Sequence, residues 1–342
     1  MTPARTPRAT VWLGLALAIA CFALFARNAR WQEIGRVIAE ADAPSIVIAA
    51  GFLLMTSVAR AWRWHHLLGD APVSFRHRLT STLIGFAGNN VLPGRLGEPL
   101  RCWAISRLSG RVGFWQAAGS IVLERIFDLA AAIFLLVLFF FLAPFPPHAA
   151  VRDAAFLGHL KEEAAVVGGL VVVVLIVLGI FAGRRLDGTR WYATIAGFLA
   201  SLQKGFAGLR SVRALVAAAF FTVVLWTSMV SFELVMLHAF GFHELGWQHA
   251  IGLLVVLSFA IALPQAPAGV GVVQLASETT LTALYGMPPA HAKAFAIGLW
   301  ACQVAIVVGA GAAALWFEGL SLADMRRARA TLESLHSSAS PK

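Results

Sequence analysis

Residues 80–101 read TSTLIGFAGNNVLPGRLGEPLR. The stretch starts as an apolar helix and is then cut by Asn89, Asn90, Pro93, Gly94 and Gly97. Proline removes a backbone donor and glycine frees the chain to turn. At membrane depth such a break is tolerated only where protein or a water-filled cavity covers the freed backbone groups. A second apolar stretch, 251–285, is interrupted in the same way. Its LPQAPAGVGVVQ at 263–274 places Pro264, Pro267, Gly269 and Gly271 in mid-run. Both stretches predict re-entrant helical hairpins, over 80–97 and 251–285, and not simple spans.

Around these breaks the chain is oily. Of 342 residues, 59% are hydrophobic and 13% charged, and the mean hydropathy is +0.77. Soluble domains carry roughly 45–50% apolar and about 25% charged residues, so a soluble enzyme, a disordered chain and a nucleic-acid-binding domain are all disfavoured. The net charge of +10 then reads as basic loops facing an anionic leaflet. Cys21, Cys102 and Cys302 are far apart and form no CxxC or zinc pattern, which argues against a disulfide framework or a metal site. No cofactor motif is present. Gly269-Val270-Gly271 lacks the third glycine of a dinucleotide fingerprint, and there is no GxxxxGK[ST].

A helix needs about 20 mainly apolar residues to cross a bilayer. Six full spans are predicted, at 11–26, 44–59, 117–143, 164–182, 214–239 and 291–317. The first resembles a signal-peptide core, but no small-residue cleavage site follows it, so it is read as retained. With the N-terminus cytoplasmic, segments 1–10, 60–116, 183–213 and 318–342 lie inside and hold 20 of the 27 basic residues. Six, Lys293 among them, fall outside, which fits the positive-inside rule. Treating either hairpin as a full span would invert every later loop. The expectation is an all-α polytopic protein: a first membrane repeat in 1–150, a second, inverted repeat in 151–318 and a basic cytoplasmic tail in 319–342. Pro93-Gly94-Arg95-Leu96-Gly97 recurs as Pro267-Ala268-Gly269-Val270-Gly271. Inverted repeats with broken helices place substrate sites at the repeat interface in many transporters.

Ionisable groups inside such a chain mark a pathway, an internal pair or a ligand site. Asn89, Asn90, Arg95, Glu98 and Arg101 form one candidate set: the amides bond freed backbone, and the guanidinium forks suit phosphate. Glu124, Arg125 and Asp128 in ERIFD form a second, with the two acids one turn apart on one face. That set reads equally as a helix-locking ion-pair network. Arg60 and Arg63 in ARAWRWHHLL read mainly as interface arginines beside Trp62 and Trp64, with phosphate capture as the other reading. His65 and His66 are interface residues. Gln274 and Glu278 follow the second break on one helical face. Glu233 is a lone acid that either lines a cavity or bonds a neighbouring helix.

These motifs resemble the membrane-embedded part of lysylphosphatidylglycerol synthases, a flippase-like family. The resemblance rests on the Arg60–Trp64 region, GNNVLPGRLGEPLR, ERIFD and LPQAPAGVGVVQ, and it covers about residues 10–318. Gln274 departs from it, standing where the family often has Glu. The resemblance implies a polytopic bacterial inner-membrane protein, with both termini cytoplasmic, that handles lipids. The tail leaves no room for the soluble transferase domain of two-domain members, so lysyl transfer is not implied. The leading expectation is a lipid translocase, not an enzyme, holding an anionic or zwitterionic head group in a polar intramembrane cavity. The alternatives are a membrane-embedded transferase on a lipid-linked donor, with Glu98, Glu124 or Asp128 as general base, and a non-catalytic scaffold of a lipid-synthesis complex, hopanoid-type pathways included. Membrane lipid is the expected substrate. A lipid-biosynthesis enzyme or a second copy of the chain is a candidate partner; nucleic acid is not.

Overall fold

The computed structural model describes residues 8–69, 71–92, 96–142, 212–262 and 266–320. All regular structure among them is helical. The chain forms α1 (Arg8–Ala26), α2 (Trp31–Glu40), α3 (Ala43–Leu67), α4 (Phe75–Val91), α5 (Gly97–Ser109) and α6 (Phe114–Leu142). After the undescribed segment come α7 (Val212–Ala239), α8 (Trp247–Ala262), a 3-10 turn (Pro267–Gly269), α9 (Val272–Thr279), a π-helical turn (Thr280–Leu284) and α10 (Pro289–Phe317). The expected span at 164–182 and almost all of the tail lie outside the described residues.

The helix ends follow local chemistry. Asp42 caps α3 by accepting from Ser45 N at 3.1 Å, with Pro44 in the first turn. Ser74 caps α4 through His77 N at 3.2 Å. Gly110 ends α5 in the left-handed conformation. Helices α3, α7 and α10 are each long and apolar enough to cross a membrane, and the apolar parts of α1 and α8 are shorter. α3 runs eight residues beyond the expected end at 59. α2, absent from the expected layout, is amphipathic and buries Ile34 and Val37.

α3 and α7 share the most extensive interface of the bundle. They run antiparallel: Asp42 N, at the start of α3, donates to Ala239 O, at the end of α7 (2.9 Å), and Arg63 meets Thr222 near their other ends. The main apolar core is built from α2, α3 and α6–α10. A second cluster joins the end of α3 to α5 and the start of α6.

Both predicted breaks are present. α4 and α5 fold back on each other at very close range. A Cβ on Gly97 would lie 2.1 Å from Gly85 O, and one on Gly88 would lie 2.9 Å from Leu100. This hairpin, 75–109, has longer arms than the expected 80–97. In the second hairpin Tyr285 Oη donates to His249 O at 2.8 Å, so its two ends lie together. Its 3-10 turn touches α4. α10 passes both hairpins: Trp300 Nε1 donates to Ala268 O at 2.9 Å, and Gly311 lies against Ala87 and Leu83.

Candidate functional site

The costliest groups in an apolar bundle are buried charges, and α3, α5 and α6 bring five of them together. Arg60 and Arg63 come from α3, Arg101 from α5, and Glu124 and Asp128 from α6. Glu124 is fully buried. Its Oε1 accepts from Arg60 Nη1 at 2.8 Å and from Arg101 Nη1 at 3.0 Å, and its Oε2 accepts from Arg101 Nη1 at 2.9 Å. Asp128, one turn on, accepts from Arg60 Nη1 at 2.9 Å and from Arg63 Nη1 at 2.7 Å. Thr222 of α7 closes the ring by accepting from Arg63 Nη1 at 3.1 Å. Arg101 lies over the Trp64 ring at 3.8 Å and Arg60 over Phe86 at 5.0 Å, so aromatic faces cover part of the cationic surface. Trp64 is held in turn by Ser120 at 2.8 Å.

This corrects the placement of Arg60 and Arg63. They are not interface arginines: Arg63 is 0% exposed. α3 continues to Leu67 with α6 and α7 packed on it, so these positions fall inside the bundle, where only an opposite charge makes an arginine tolerable. Arg125 has its side chain 48% exposed and stands 3.7 Å from both Glu124 and Asp128.

The donors outnumber the acceptors. Three buried arginines face two carboxylates, and Arg125 adds a further positive charge at the rim. Arg60 Nε, Arg63 Nε, Arg101 Nε and Arg101 Nη2 are buried without a hydrogen-bond partner. Arg63 Nη2 is 3.2 Å from Glu124 Oε1 without hydrogen-bond alignment. Buried donors are nearly always satisfied, so this cluster has donors free for a further acceptor, and its excess positive charge favours an anionic one.

At the first break the amides serve the backbone. Asn89 Oδ1 accepts from Gly97 N at 2.8 Å, and Asn90 Nδ2 donates to Phe86 O at 2.9 Å. Glu98 is half-buried in the first turn of α5, where the helix dipole favours an acid. Pro93, Gly94, Arg95 and Pro264 lie outside the described residues.

At the second break Gln274 Oε1 accepts from Gly271 N at 2.8 Å and caps α9. Gly269 and Gly271 take positive φ, and so does Ala268 at 56°. Glu278 pairs with Lys293 at 2.7 Å. Lys293 also donates to Phe25 O, at the end of α1, and lies over the Phe25 ring at 4.7 Å. Lys293, counted in an outer segment from the sequence, is therefore a buried tie between α1, α9 and α10. Among the described residues no hydrogen bond or ion pair joins Gln274 or Glu278 to the arginine network. Glu233 is buried, and its Oε2 has no partner.

Several contributors had no signal in the sequence. Arg78, 3% exposed, donates to Ala61 O at 3.0 Å and to Val73 O, pinning the turn between α3 and α4. Thr222 is one hydroxyl among many until α7 packs on α3. Among the described residues, no three His, Cys, Asp or Glu side chains are grouped to hold a metal.

Long apolar helices, two broken hairpins and a buried arginine–carboxylate network define a multi-pass helical membrane protein. The chain belongs to the family of the lysylphosphatidylglycerol synthase transmembrane region, whose model matches residues 11–311. It is also similar to glycosyltransferase AglD of Haloferax volcanii, at 26% identity over 361 aligned positions. That match covers 94% of this chain and 56% of the archaeal protein. Both findings fit a role connected with membrane lipids.

Proposed function

We propose that this protein is an inner-membrane lipid translocase. An anionic or zwitterionic head group docks on the arginine network, and its acyl chains stay in the bilayer. The observation that carries this reading is the surplus of buried, unpartnered guanidinium donors around Glu124 and Asp128. Two oxygens of a phosphate would accept from such a guanidinium bidentately, and half-exposed Arg125 marks the approach.

The layout behind this reading has six spans and two re-entrant hairpins related as an inverted repeat, with both termini cytoplasmic. Its support is the contact between the second hairpin's tip and α4, and the return of that hairpin to its own starting end. Head-group passage between opposed hairpins follows the logic of transporters built from inverted repeats.

The test is reconstitution of the full chain into vesicles holding head-group-labelled phosphatidylglycerol, with inner-leaflet label read by an impermeant quencher. Wild type should expose the label faster than empty vesicles, and Arg125→Gln, a rim change that leaves the buried network intact, should slow this roughly ten-fold. Rates equal to those of empty vesicles would overturn the reading.

A second reading is favoured by the name of the archaeal relative: a transferase acting on a lipid-linked sugar donor, with Glu124 or Asp128 as base. Glycolipid formed from a polyprenyl-phosphate sugar without label movement would select it.

A further inference from the structure

Away from the arginine network, a cavity of about 440 Å³ opens between α1, α8 and α9. Its wall includes Cys21 of α1, Val256 of α8, and Leu275, Ala276, Ala283 and Leu284 of α9 and the π turn. The lining hydroxyl of Thr280 is bonded internally to Ala276 O at 2.7 Å. Apart from the exposed Thr279, this wall offers a ligand hydrocarbon contact.

The direction of the groove follows from the contacts of α1. A Cβ on Gly271 would lie 2.3 Å from Ala18 O, and seven residues on, Phe25 is level with Glu278 through Lys293. α1 and α9 therefore run parallel and in step. The lining runs from Val272 to Leu284, about 18 Å of helix rise. That is close to one leaflet's share, about 15 Å, of the hydrocarbon core. At the Leu284 end, Arg27 and Arg30 follow α1 and are exposed. Trp31 and Trp247 are exposed at the starts of α2 and α8, and exposed tryptophans mark the head-group level.

We propose that this groove binds one acyl chain of an anionic phospholipid, whose phosphate sits at Arg27 and Arg30. The site lies in the leaflet opposite the arginine network. The groove's head-group end is shared with the start of α8, just beyond the junction of α7 with α3, whereas Arg60 and Arg63 lie about 27 Å along α3 from that junction. The π-helical turn Thr280–Leu284, a feature frequent at functional sites, forms part of its wall. The proposal stands whether or not the protein translocates lipid.

The probe is phosphatidylglycerol with a diazirine on one acyl chain, photolysed with the full-length protein in phosphatidylcholine vesicles and mapped by peptide. Crosslinks should concentrate on 15–26 and 272–284 over the lipid-facing Val216, Phe220 and Val223 of α7. Ala283→Trp should cut groove labelling roughly ten-fold and leave α7 labelling unchanged. Arg27→Gln with Arg30→Gln, both on the surface, should abolish the preference over the matching phosphatidylcholine probe. Labelling no stronger in the groove than on α7, or equal labelling by both probes, would overturn the proposal.

Discussion

Glu124 is the residue on which the site depends. It accepts from arginines of two helices and has no exposure. Removing one member of a buried ion pair leaves the other charge uncompensated and costs about 3–5 kcal/mol. Glu124→Ala should therefore lower the thermal midpoint in detergent more than Asp128→Ala, because Asp128 retains some exposure. A midpoint shift for Glu124→Ala within error of wild type would show that the network is not held as described. Lys293 gives a second test of the same physics. Lys293→Ala strands Glu278 and uncaps the end of α1, whereas Lys293→Ala with Glu278→Ala removes both charges. The double variant should be less destabilised than the sum of the two single ones, by about 1 kcal/mol or more. Additive losses in a thermal or denaturant series would contradict a coupled pair.

At the scale of elements, the breaks are built from backbone geometry. Gly97 has no room for a methyl group: its Cβ would meet Gly85 O at 2.1 Å and Asn89 Cγ at 2.4 Å. Gly97→Ala should prevent α4 and α5 from closing and should show as loss of monodisperse protein on size exclusion. Gly35→Ala, at a position with open space, should be tolerated. Ala268 holds φ at 56° in the second break, a conformation that costs a residue with a Cβ about 1–2 kcal/mol. Ala268→Gly relieves that strain while the Trp300 hydrogen bond to the same backbone remains. Stability should rise by up to about 1 kcal/mol after the entropy glycine adds to the unfolded chain; a fall in thermal midpoint would contradict it.

At the scale of the molecule, the proposed layout puts residues 144–163 and 183–213 on opposite sides of the membrane. In a background without Cys21, Cys102 and Cys302, single cysteines at Ala150 and Gly197 should react with an impermeant maleimide from opposite faces. Reaction from the same face would remove the inverted layout. The basic-residue count behind that orientation needs revision on the inner side as well as at Lys293. Arg60, Arg63, Arg78 and Arg101 were counted with the inner loops, yet all are buried. The leaflet-facing charge is smaller than the count, and the difference is the charge held in the network and at the α3–α4 turn.

How much of this was legible in the chain differs by feature. The all-helical class and the two breaks follow from composition and from proline and glycine placement. These are local properties that hold wherever the segment packs. The expected spans at 44–59, 117–143, 214–239 and 291–317 coincide with α3, α6, α7 and α10 to within a few residues, except where α3 runs on. Glu124, Asp128 and Arg101 were visible as costly residues, whereas Arg60 and Arg63 read mainly as interface arginines. The partners were not visible: Arg60 pairs with an acid 64 positions away, and α5 places Arg101 on that same acid. An arginine beside tryptophan at a helix end looks the same in sequence whether it faces a head group or a carboxylate. Which of the two it meets depends on the helix packed against it, so the sequence by itself determined the helices and their interruptions, and only the tertiary structure decided which charges neutralise one another and which donors remain open.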